Sequence, residues 1–84
     1  MGFRIIERTE TFGNGRYFVE KVETRFGDVQ FFTLDSETPD PAFPGIVMDS
    51  IIRQESTLEG ALRGLGIDAD SLTFSRVLTP GREI

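Results

Sequence analysis

Gly13-Asn14-Gly15 constrains this chain more than any other stretch. Its three residues tolerate positive φ, and they separate two runs, Phe3 to Phe12 and Arg16 to Phe26, that hold Phe, Ile, Val, Thr and charged residues and no Pro. This pattern predicts a β-hairpin, and charge chooses its register. A three-residue loop sets Glu7 opposite Lys21, Arg8 opposite Glu20 and Ile6 opposite Val22, giving two attractive pairs. A two-residue Asn14-Gly15 turn would instead set Arg8 against Lys21 and Arg4 against Arg25, both repulsive. The three-residue loop, with a bulge at Gly15, is therefore expected.

Gly27-Asp28 marks a second turn, and Val29 to Leu34 follows as a third strand with Phe31 and Phe32 pointing to opposite faces. Asp35 to Pro41 combines acids with two prolines and Pro44-Gly45 closes the stretch, so the sheet is expected to end there and a loop to cross over. From Ile46 the apolar residues recur at a spacing of about four, which predicts a helix over 45–54. Ser56-Thr57-Leu58-Glu59 has the form of a capping box, so a helix is expected to start at Thr57 with Ser56 as its cap. Leu58, Leu62 and Leu65 continue an apolar stripe until Gly64 and Gly66, and Leu72 to Leu78 reads as a last strand ended by Thr79-Pro80-Gly81. Whether 45–65 is one helix or two is left open. The expected fold is a single α+β domain over residues 1–84, with a small antiparallel β-sheet of about four strands in βββαβ order and a helical segment packed on one face.

Composition removes several classes of function. The chain has no Cys and no His, so disulfides, thiolate zinc sites and a Ser-His-Asp arrangement are impossible within it. Carboxylates, Tyr17 and the single Lys21 are the groups left for proton transfer. A formal charge of −5 opposes binding to a phosphate backbone, and no direct nucleic-acid partner is expected. No stretch reaches the ~18 to 20 apolar residues of a membrane span, and the run from Met1 to Ile6 lacks the apolar core of a signal peptide. A cytoplasmic protein with no membrane partner is expected.

Each constellation that carries chemistry elsewhere has a plainer reading here. Asp35, Glu37 and Asp40 crowd one loop, but without the spacing of a Ca²⁺ loop they read as solvated acids. Gly13-Asn14-Gly15 joins two strands, whereas a phosphate loop opens a helix. Phe12, Tyr17, Phe18, Phe26, Phe31 and Phe32 suggest a sheet that stacks RNA bases, yet Glu7, Glu10, Glu20 and Glu23 cancel the neighbouring arginines. No metal or cofactor is expected.

The leading expectation is a non-catalytic protein-interaction module acting as a homodimer, or with another protein partner. In the favoured register Phe3, Ile5, Tyr17 and Val19 share one sheet face, Phe31 or Phe32 must join it, with Phe31 taken as the fifth, and a single short helical region covers only the other. These five residues are the expected interface. The alternatives are a small-molecule binder or cofactor-free enzyme with a pocket between helix and sheet, and an acidic inhibitor of a nucleic-acid-binding protein.

Overall fold

The computed structural model of the chain describes residues 4–77. Five strands form one antiparallel sheet: β1 (Arg4–Thr9), β2 (Tyr17–Thr24), β3 (Val29–Pro39), β4 (Val47–Glu55) and β5 (Phe74–Arg76). Between β4 and β5 lie a one-turn helix α1 (Leu58–Ala61) and a 3-10 turn at Ala69–Ser71. The strands are arranged β4-β3-β2-β1-β5, so four consecutive strands make a meander and β5 returns to pair with β1. The sheet is antiparallel as expected. The βββαβ order is corrected to four strands, a turn of helix and a fifth strand.

The β1–β2 register is the one that charge selected, with Ile6 opposite Val22, Glu7 opposite Lys21 and Arg8 opposite Glu20. Both opposite-charge pairs form: Arg8 reaches the Glu20 carboxylate through Nε at 3.1 Å and through Nη2, and Lys21 Nζ stands 3.8 Å from Glu7. The turn differs from the expected three-residue loop. Phe12 and Tyr17 exchange both backbone hydrogen bonds, which encloses Gly13 to Arg16, and the extra residue falls in the first strand between Arg8 and Phe12 instead of at Gly15. Gly13, Asn14 and Gly15 have φ of 63°, 62° and 83°, the left-handed region for which this tripeptide is suited. Gly13 is doubly required, because a Cβ there would lie 2.8 Å from the Tyr17 ring.

The larger correction concerns 45–54, expected as helix and found as strand β4. Gly45, at φ 93°, helps turn the chain, and the tight connection is held by Asp40 N–H donating to the Ile46 carbonyl and Ile46 N–H to that of Phe43. Asp40 also accepts from Ala42 N–H through its side chain. The sheet consequently continues to Pro39, past the break expected at Asp35. Four β-branched residues, Ile46, Val47, Ile51 and Ile52, favour the strand. Their pairwise clustering mimics a helical period because β4 is irregular: its register against β3 shifts between Thr33 and Leu34 and again between Asp35 and Thr38. The first shift leaves Ile52 unmatched on β4; the second opposes Ser36 and Glu37 to Asp49.

Strand alternation assigns the two faces. Ile5, Tyr17, Val19, Phe31, Thr33 and Arg53 share one; Ile6, Phe18, Val22, Phe32 and Leu34 share the other. The helix lies on the first. Thr33 Oγ1 donates to the Ala61 carbonyl, and Arg53 Nη1 donates to the carbonyls of Gly60 and Arg63. Ala61, Leu62, Val19 and Thr33 are buried, and the Phe31 and Phe74 rings meet edge-on at 6.2 Å on the same face. Ile6, Phe18 and Leu34 are buried on the other face, where the Arg8 guanidinium lies 4.7 Å above the Phe18 ring. Leu58 and Leu62 therefore do not share one core with Ile6, Phe18 and Val22. The sheet separates them.

The cap also moves by one residue. Thr57, with extended φ and ψ of −129° and 152°, accepts from Gly60 N–H at 3.1 Å, whereas Ser56 lies outside the helix. No helix among the described residues is long and apolar enough to cross a membrane.

Candidate interaction edge

Among the described residues seven large apolar side chains are strongly exposed, and six belong to the β3–β4 hairpin: Phe43, Ile46, Val47, Met48, Ile51 and Ile52. Ile51 is 58% exposed and Ile52 48%, in a strand whose outer edge pairs with no other strand among the described residues. Phe26, at the β2–β3 turn, is the seventh and lies apart.

An outermost strand presents unpaired backbone N–H and C=O groups along its free side. Natural sheets usually blunt such a strand by making it short or by placing lysine or proline on it. β4 has nine residues, and within Val47–Ile52 its single charge is Asp49. Leu34 faces Ile51 and Asp35 faces Ser50 on the inner side, so the backbone is already extended and held in place by β3. The irregular register puts apolar side chains on both faces of the edge.

Its surroundings are acidic. Glu37, Asp49 and Glu55 are exposed, and no described ion pair includes them. The two guanidinium groups nearest the hairpin are engaged. Arg16 binds Asp35 as a fork, Nε to Oδ1 at 2.9 Å and Nη2 to Oδ2 at 2.8 Å, while Arg53 is tied to the two carbonyls beyond the sheet. Asp35 also accepts from Glu37 N–H. The hydrogen bonds from Arg16, followed by that from Glu37 N–H, hold the Asp35 carboxyl below the usual carboxylate range, and those to Asp35 push the Arg16 guanidinium further up.

The residues expected at an interface occupy other places. Ile5, Tyr17, Val19 and Phe31 do share one face, but it is the face that carries α1. Val19 has no exposed surface, and Ile5, Tyr17 and Phe31 are half-buried. Phe3 lies outside the described residues. Between helix and sheet, where a pocket was an alternative expectation, lie the Thr33–Ala61 hydrogen bond and buried Leu62. Among the described residues no three carboxylates converge as a metal site would require, and Asp35 is paired with Arg16.

Sequence reasoning missed β4 because it weighed apolar spacing above residue type. The β-branched character of Ile46, Val47, Ile51 and Ile52 directly after Pro44-Gly45 was the available signal. Comparison with protein-family models, curated proteins and solved structures found no match to the chain.

Proposed function

We propose that this protein is a non-catalytic protein-interaction module whose working surface is the outer edge of β4. One observation carries the reading: six exposed apolar side chains lie on one hairpin, four of them on a nine-residue strand whose outer edge pairs with no strand among the described residues. Apolar patches of this kind on small proteins commonly mark a binding surface, and an extended segment added to the edge would satisfy backbone groups and cover side chains together. The second copy expected from the sequence remains one occupant of such an edge, and light scattering at micromolar concentration distinguishes it from a protomer of 9.4 kDa.

A library of random peptides displayed on phage tests the reading without choosing the partner. The unmodified protein should enrich extended, β-prone peptides, and a variant carrying Ile51→Lys and Ile52→Lys should lose them. Both positions are exposed, so folding is expected to survive, as circular dichroism would check. Peptides that bind the variant as well as the unmodified protein would place the working surface elsewhere and overturn the reading.

A further inference from the structure

The charge of the molecule is concentrated where its apolar surface is exposed. Residues 35–55 contain five carboxylates (Asp35, Glu37, Asp40, Asp49 and Glu55) and one guanidinium (Arg53), a net −4 out of −5 for the chain. The remaining 63 residues carry nine acids against eight bases and are nearly neutral. Arg16, from outside this stretch, pairs with Asp35, and Arg53, already counted, is held by the backbone carbonyls of Gly60 and Arg63, so the stretch stays net acidic. Glu37, Asp49 and Glu55, exposed and in no described ion pair, thus put an acidic rim on an apolar strand.

Resting on β4 as the working edge, we propose that its occupant is an extended segment of another protein in which apolar side chains alternate with Lys or Arg, added to β4 as a sixth strand. The apolar side chains would lie beside Val47, Met48, Ile51 and Ile52, and the basic ones would meet the acidic rim. Because β4 is apolar on both faces, the added strand gains neighbours on either side of the sheet. A second copy fits the same edge worse. Two-fold pairing of antiparallel edges runs about an axis normal to the sheet, which brings together two hairpins that are both net acidic, and like charges juxtaposed across an interface oppose association.

The test uses three labelled synthetic peptides and fluorescence anisotropy with the full chain. One alternates Lys and Val, the second replaces every Lys by Glu, and the third is the Lys–Val peptide with a central Pro. The Lys–Val peptide should bind at least about tenfold more tightly than the Glu–Val peptide, and more weakly as salt is raised. The proline should abolish binding by removing a donor from the added strand. The variant Asp49→Lys should weaken binding by about fivefold or more, while Asp68→Lys, an equal charge change at an exposed site outside the hairpin, should have a much smaller effect. Hydrogen exchange should slow at the β4 amides. Equal affinity for both peptide charges, or equal loss in Asp68→Lys, would overturn the basic partner while leaving β4 as the edge. Protection appearing at β5 instead, or no protection with any peptide, would remove the edge and the partner together. Protomer pairing that protects β4 and excludes the peptide would give the site to a second copy.

Discussion

At Asp35 a single carboxylate joins three parts of the chain: its backbone pairs with Tyr17 and Ser50, and its side chain receives the Arg16 fork and the Glu37 amide. Because these bonds lower its pKa in the folded state, its stabilising contribution is present above the unfolded value of about 3.9 and is lost as pH falls through the folded value. Asp35→Asn should therefore destabilise the protein at neutral pH, and urea melts of the two proteins should converge in strong acid. An equal gap at both pH values would show that the Arg16 pairing contributes nothing. Leu62 presents a different case, one of packing. It ends α1 almost fully buried on the Val19 face, so Leu62→Ala should cost about 2 to 5 kcal/mol, and a loss below about 0.5 kcal/mol would mean that the side chain is exposed in solution.

Among the elements, α1 shows how adjacent signals compete. Ser56-x-x-Glu59 and Thr57-x-x-Gly60 each present a capping oxygen three residues before a first-turn amide, and the chain uses the second. Thr57→Ala should lose about 0.5 to 2 kcal/mol, whereas Ser56→Ala should stay within about 0.5 kcal/mol. Thermal melts that rank the two in reverse would restore the capping box. The β1–β2 hairpin was legible because its evidence is pairwise: sliding the strands by one residue sets Arg8 against Lys21, and few registers avoid such a clash. Nothing comparable fixes β4. Its apolar doublets fit a helix period on their own, and only the shifts against β3, which depend on the partner strand, turn them into an edge. Local patterning cannot report a feature that arises in pairing.

At the scale of the molecule, strand and turn patterning correctly indicated an antiparallel sheet in a small mixed fold, and parity correctly grouped Ile5, Tyr17 and Val19 on one face. It did not reveal that α1 would settle on that face, because the side chosen by a returning segment depends on where β4 delivers the chain. Thr33 and Arg53 receive it there through hydrogen bonds that no periodicity encodes. The distribution of charge was written in the sequence throughout, although its meaning required β4 to be a strand. The order β4-β3-β2-β1-β5 also has a consequence in time. The first three pairings are hairpins between neighbours in sequence, which close quickly, whereas β5 pairs Arg76 with Glu7 and must close a loop through nearly the whole described chain. The meander therefore precedes the complete sheet during folding and passes through a stage with two open sides, at β1 and at β4. Arrival of β5 seals one of them, and the other stays open among the described residues.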